Sequence, residues 1–258
     1  LAVSKLVKDY FSEHQVQSNA GLPVPVVAVG KLGYPDVAEQ ALRDGQCDMV
    51  MLGRPLLADP EWPNKAYAGR VSEIRPCIGC QEGCINEFVD GGHPQCAVNP
   101  RTGFENSIPE HAAPAITPKH IAVVGAGPAG VVFAVEAAAR GHQVDLFERS
   151  GSVGGKIIPG GAPKIKYEVE NYRRYLEKLL KDAEEGGSVK TYFNTEASPE
   201  QLQKRGYDSI VFAVGTRAVS PRIPGIDKVK TVQAIDLLCD INLAGQAKDI
   251  VVIGGGVV

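Results

Sequence analysis

The sequence predicts an α/β protein with parallel sheet, on three observations. Short apolar runs that end in glycine alternate with segments of helical length and pattern. The joints between them are short. A stretch carrying four cysteines, Cys77, Cys80, Cys84 and Cys96, separates two such regions. Strand, helix, strand with short joints is a βα repeat, and βα repeats build parallel sheets.

In the first region, Leu1, Val3, Leu6 and Val7 fall on one helical face. The run Pro23–Gly30 (PVPVVAVG) reads as a strand buried on both faces. Pro35–Gly45 follows as a helix, with proline near its start and glycine as its stop. A second buried strand, Cys47–Leu52, runs into Gly53-Arg54-Pro55. Both strands therefore end in a glycine followed by a cation, Gly30-Lys31 and Gly53-Arg54. Bare N–H donors, close approach and positive charge at a strand's carboxyl end are what a phosphate site requires, and a (β/α)8 barrel places one after its last two strands. An ordinary α/β core whose turns use glycine fits the same pattern.

The cysteines are spaced C-x2-C-x3-C-x11-C, with Gly79, Gly83, Gly91 and Gly92 interleaved. Four soft thiolates close a tetrahedral zinc site or cap the corners of an iron–sulfur cluster. Zinc sites usually come as two C-x-x-C pairs across a longer gap; this lopsided spacing favours the cluster. Six cysteines in a long chain without a signal peptide point to a reducing, cytoplasmic compartment and away from a disulfide framework. Cys47 and Cys239, in apolar surroundings, read as packed free thiols. The five histidines form no spaced cluster, so no histidine metal site is expected.

Residues 101–118, with Pro109, Pro114 and Pro118, read as a linker. Beyond it, the strand His120–Val124 leads into Gly125-Ala126-Gly127-Pro128-Ala129-Gly130, a helix to Arg140 capped by Gly141, and a strand Gln143–Glu148. This is the G-x-G-x-x-G dinucleotide fingerprint in its required setting. Gly125 permits the tight turn, Gly127 lets a pyrophosphate touch backbone, Gly130 allows helix to approach strand, and Glu148 can accept from a ribose hydroxyl pair. A packing helix is predicted over Lys164–Glu185 from Ile165, Val169, Tyr172, Leu176, Leu179 and Ala183. A capping box starts a short helix at Ser198-Pro199-Glu200-Gln201. Asp208–Thr216 reads as a further buried strand ending in glycine. The last residues, Asp249–Val258, look like a second strand entering a glycine turn at Gly254 and Gly256.

At 258 residues, 44% apolar and 22% charged with net charge −3, the chain gives no reason to expect nucleic acid or an anionic membrane as partner. No apolar run is long enough to cross a bilayer. Because the chain starts at Leu1 and stops inside a motif, it reads as a fragment.

The run Gly53-Arg54-Pro55-Leu56-Leu57-Ala58-Asp59-Pro60-Glu61-Trp62, then Ile74-Arg75-Pro76-Cys77 and the closing Cys96-Ala97-Val98-Asn99-Pro100, resembles the old yellow enzyme (NADH:flavin oxidoreductase) family. More narrowly, the order of elements is similar to its iron–sulfur multi-domain branch: 2,4-dienoyl-CoA reductase, enoate reductases and trimethylamine dehydrogenase. The resemblance implies four parts: the end of an FMN-binding (β/α)8 barrel (1–75), an iron–sulfur segment and linker (76–118), a Rossmann-like FAD or ADP domain (119–248), and the start of a truncated NAD(P)H domain (249–258). It implies FMN phosphate at Gly30, Gly53 and Arg54, and a 4Fe-4S cluster on Cys77, Cys80, Cys84 and Cys96. FAD would lie at Gly125, Gly127, Gly130, Glu148, Gly155, Lys156 and Gly215, and the nicotinamide nucleotide at Gly254 and Gly256. The implied activity is electron transfer from NAD(P)H through FAD and the cluster to FMN, which reduces an activated C=C bond of a small-molecule substrate of the 2-enoate or dienoyl-CoA type. An amine dehydrogenase and an electron-transfer module serving a separate catalytic subunit are the alternatives. No catalytic residue is named, since the substrate-protonating groups belong to earlier barrel strands, and the piece alone is expected to be inactive. Homo-oligomerisation of the full-length protein stays open.

Overall fold

The structure, a computed structural model, describes residues 1–255. It divides into two compact units, Leu1–Ile108 and Pro109 onward.

In the first unit, α1 (Ala2–Glu13) precedes β1 (Val27–Val29), α2 (Pro35–Arg43) and β2 (Met49–Met51). Pro35 opens α2, and Gly45 takes the positive φ of +63° that turns the chain back towards β2. The strands pair in parallel, Val27 with Met49 and Val29 with Met51. Ala28, Leu32, Ala41 and Cys47 form a small core between this pair and α2, so Cys47 is a packed thiol as expected. The expectation of burial on both faces fails. Val29 and Met51 are 69% and 56% exposed, because α2 packs on one face only. The apolar stripe of α1 is likewise exposed. Two short helices, α3 (Arg54–Ala58) and α4 (Trp62–Tyr67), follow β2 directly. The cysteine segment contains a π-helical turn over Glu82–Asn86 and one α-turn, α5 (Glu87–Val89).

The predicted linker is shorter than the sequence reading made it. Residues 101–108 form hydrogen-bonded turns that belong to the first unit: Thr102 is buried and donates from Oγ1 to the Leu57 carbonyl (2.7 Å), and Arg101 Nε donates to Ile108 O. Farther on, Arg140 Nε donates to Ala113 O and Ala115 N–H to Arg140 O, pinning that stretch to the second unit.

The second unit is a four-stranded parallel sheet in the order β5–β4–β3–β6, built from β3 (His120–Val124), β4 (Gln143–Phe147), β5 (Val189–Tyr192) and β6 (Ser209–Phe212). The linking helices are α6 (Pro128–Ala139), α7 (Ile157–Gly161), α8 (Tyr167–Glu185) and α9 (Pro199–Arg205), and α10 (Ala234–Cys239) comes after β6. Ala122, Val123 and Leu146 are fully buried, as are Val131 and Ala134 on α6, and Leu176 on α8. The capping box of α9 forms as predicted: Ser198 Oγ accepts from Gln201 N–H, and the Gln201 side chain accepts from Ser198 N–H.

Four expectations in this unit need correction. The long helix starts at Tyr167, after a 3-10 turn that leaves Ile165 exposed, and Tyr175 and Leu180 join Tyr172 and Leu176 on its buried side. β6 is an edge strand with Ile210 and Phe212 turned outward, so it is half-buried rather than buried throughout. Cys239 is exposed, since α10 buries none of its residues. The stretch 250–253 forms no ladder and is exposed, because an apolar sequence becomes a strand only with a neighbour to pair with. No helix among the described residues is long and apolar enough to cross a membrane.

Candidate functional site

The first unit carries two features in sequence: the strand ends and the cysteine segment. Gly30 (φ +112°) and Gly53 close β1 and β2, and nothing lies within 4 Å of where a Cβ would stand on either. Their loops touch each other. A Cβ on Gly33 would come within 2.6 Å of the Pro55 ring, and Trp62 Nε1–H donates to the Gly33 carbonyl (2.9 Å). The two glycine-cation joints are therefore neighbours, with Arg54 at the first position of α3.

All four predicted cysteines line one hollow, together with Arg54, Leu57, Gln81 and Gln95. None is in a disulfide. Several local devices gather them. Gly83 has no room for a side chain, since a Cβ would lie 2.9 Å from the Gln95 carbonyl carbon and oxygen. Gln95 N–H donates to Gly83 O at 2.6 Å, which brings the Cys84 strand of the loop beside that of Cys96. Gln81 takes a left-handed φ of +62°, unusual for a residue with a side chain, where the chain turns into the π-helical turn bearing Cys84. The Gly79 N–H points at Cys77 Sγ at 3.4 Å. Burial pushes the Cys77 thiol above its ordinary value; the Gly79 N–H and the Arg54 charge act in the opposite direction. Among the described residues, no three His, Cys, Asp or Glu side chains converge closely enough to grip a single metal ion.

In the second unit, the glycine turn joins β3 to α6. A Cβ on Gly125 (φ +108°) would strike the Ala213 carbonyl, and one on Gly130 would strike the Gly125 carbonyl, so both positions admit only glycine. Gly127, at the N-cap of α6, faces open space. Gly154 N–H donates to Ala126 O (2.9 Å), and Gly155 packs on the Cα of Gly127. Lys156 Nζ reaches Thr216 Oγ1 at 2.7 Å, next to Gly215. Gly125, Gly127, Gly155, Lys156 and Gly215 are thus drawn around one mouth at the amino end of α6. There the helix dipole and unpaired N–H groups favour an anion.

Glu148 is buried, and its carboxylate is already engaged. Oε2 accepts from Ala126 N–H (2.8 Å), and Oε1 accepts from the N–H and hydroxyl of Ser150 (both 2.8 Å). Burial opposes ionisation here, but these donors outweigh it and hold the carboxyl below the ordinary glutamate value. Gly254 lies in the exposed stretch after α10, and Gly256 lies outside the described residues. The sequence reading missed Asn99, Thr102 and Asp59 as organisers of the cysteine segment and Thr216 as the partner of Lys156. Only Asn99-Pro100, a turn-initiating pair, gave any signal.

A glycine turn of this kind on a parallel sheet, and a βα unit followed by four clustered thiols, define a two-part protein of the nucleotide-binding oxidoreductase class. Residues 119–258, more than half of the chain, match the pyridine nucleotide-disulphide oxidoreductase family, to which the chain belongs, and residues 5–73 match the NADH:flavin oxidoreductase / NADH oxidase family. It is 37% identical over 239 residues to a metal reductase of Desulforamulus reducens, covering 91% of this chain and 35% of that protein. It is 37% identical over 235 residues to a cinnamate reductase of Clostridium sporogenes, covering 91% of this chain and 34% of that one. Among solved structures, a 2-naphthoyl-CoA reductase in complex with 2-naphthoyl-CoA superposes with a TM-score of 0.80 at 33% identity, over 90% of this chain and 34% of that one. The chain spans about a third of the length of the curated relatives it matches.

Proposed function

We propose that this chain is part of an NAD(P)H-dependent flavin oxidoreductase that passes electrons through FAD and a 4Fe-4S cluster to FMN and reduces an activated C=C bond of the 2-enoate or aryl-CoA type. The observation that carries the reading is the single hollow lined by Cys77, Cys80, Cys84 and Cys96, in a chain whose flanking segments match a flavin family and a pyridine nucleotide family. The donor set fits a cluster better than zinc. Zinc draws four sulfurs to about 2.3 Å from one point, whereas a cluster takes one thiolate on each separate corner and so needs a lined hollow. When bound, the cluster supplies one-electron transfer between two-electron flavins.

The chain's own residues bind and orient. Gly30, Gly53 and Arg54 would hold the FMN phosphate with N–H donors and one fixed cation. The Gly125–Gly130 turn and the amino end of α6 would hold the FAD pyrophosphate, with Gly155 and Lys156 closing over it and Gly215 beside it. A carboxylate has about four acceptor sites, and three are filled on Glu148, so one remains for a ribose hydroxyl. Gly254 and Gly256 would open the nicotinamide nucleotide domain. The relatives named as reductases of cinnamate and of 2-naphthoyl-CoA support a conjugated substrate. A dimethylamine dehydrogenase that is 36% identical over 166 residues keeps amine oxidation as the second reading.

The test is anaerobic purification of the full-length protein with iron, acid-labile sulfide and flavin analysis, followed by turnover with cinnamate or with dimethylamine. About four iron and four sulfide per chain are expected, with both FMN and FAD, and NADH-driven loss of cinnamate. Cys80→Ser should lose the iron and keep the FAD. Protein free of sulfide would overturn the relay, and turnover of amine alone would replace the reductase with the dehydrogenase.

A further inference from the structure

Helix α3 runs from the carboxyl end of β2 to the cysteine hollow, and its far end is bolted on both sides. The Leu57 carbonyl accepts from Asn99 Nδ2 (2.8 Å) and Thr102 Oγ1 (2.7 Å), both just past Cys96. Asp59, immediately after the helix and only 3% exposed, accepts the Arg75 N–H (2.8 Å) two residues before Cys77, and its carboxylate also takes Lys65 Nζ (2.7 Å). The segments entering and leaving the cysteine loop are thus both fastened to this one short helix. Arg54 is its first residue. Its side chain is half-buried and is the one charged group among the described residues lining the hollow, where the others are cysteines, apolar residues, glycine and two glutamines.

A cluster's potential follows its net charge and the charges around it. Reduction by one electron makes the cluster one unit more negative, and a cation fixed nearby in a partly dry site stabilises that state more than the oxidised one. Arginine suits this task, because it stays protonated at any pH a protein meets.

We infer that Arg54 is a positioning residue for the cluster as well as a phosphate ligand: held on the hollow by the bolts on α3, its cation raises the cluster's reduction potential. This rests on the cysteines holding a cluster, as proposed above. One side chain would then face both the flavin phosphate and the electron carrier next to it.

The experiment is a dithionite titration of the anaerobically purified holoprotein, read by the electron paramagnetic resonance signal of the reduced cluster, at saturating FMN. Arg54→Gln should keep its iron and sulfide and shift the midpoint to lower potential, while Arg54→Lys should stay near the unaltered protein. Should Arg54→Gln lose the cluster altogether, restoration of iron content and potential by Arg54→Lys supports the inference, and failure of lysine to restore them overturns it. An intact cluster with unchanged midpoint in Arg54→Gln overturns the inference while leaving the relay standing. Absence of iron from the unaltered protein removes both.

Discussion

β1 and β3 are written in nearly the same language, yet the structure treats them differently. Each is an apolar run that ends in a glycine with φ above +100°, and each feeds a helix through a short joint. β3 has partners on both sides, β4 and β6, and its central residues Ala122 and Val123 are fully buried. Among the described residues β1 has one partner, β2, and Val27 and Val29 stay exposed although Ala28 between them is buried. The local sequence therefore specifies an extended, apolar, glycine-terminated segment. How much of it is buried depends on how many layers arrive from elsewhere in the chain.

The sharpest way to break this comparison is to truncate one side chain in each sheet. Leu146 on β4 is fully buried, so Leu146→Ala should cost about 2–5 kcal/mol through lost transfer energy and an unfilled cavity. Met51 on β2 is 56% exposed, and Met51→Ala should cost less than about 0.5 kcal/mol. Denaturant melts of both variants measure the difference. Equal losses would mean that the β1–β2 face is covered after all. A second substitution sharpens the contrast at the glycines. Gly130→Ala would drive a methyl group into the Gly125 carbonyl and should cost about 3 kcal/mol and, on the function proposed above, the affinity for FAD. Gly53→Ala meets open space, so in a melt it should change stability by less than about 1 kcal/mol.

The same contrast explains what could be read in advance. The turn at Gly125–Gly130, the helix start at Pro128 and the capping box at Ser198 were legible because each is a short-range rule: a φ that only glycine adopts, a missing N–H, a side chain that reaches three residues. The gathering of four cysteines was legible in their spacing. The bolts on Leu57 from Asn99 and Thr102 were not, since they join residues more than 40 apart through a backbone carbonyl, which has no sequence signature. Burial of β1 and β6 was misread for a related reason. Apolar composition reports what a strand would bury, and the edge position of β6 comes from topology.

Glu148 gives a smaller effect than Leu146 or Gly130 and the finest probe, because it connects the two kinds of information. The sequence assigned its carboxylate to a ribose; the structure occupies it with Ala126 of the glycine turn and with Ser150. Charge-assisted hydrogen bonds of this kind are worth about 1.5–3 kcal/mol, and they depress the folded-state ionisation below the ordinary 4.5. In acid the unfolded chain therefore binds the proton more readily than the folded one. The stabilisation is complete above the unfolded value and is lost as pH falls through the lower folded value. Glu148→Gln keeps one acceptor oxygen and loses the charge. It should cost about 1–2 kcal/mol at neutral pH and flatten the decline in melting temperature between about pH 5 and pH 3. If the carboxylate serves only to brace the turn, adding FAD should stabilise the variant and the unaltered protein equally. If its fourth acceptor site takes a ribose hydroxyl, the variant should gain less from FAD, and that shortfall separates the brace from the ligand.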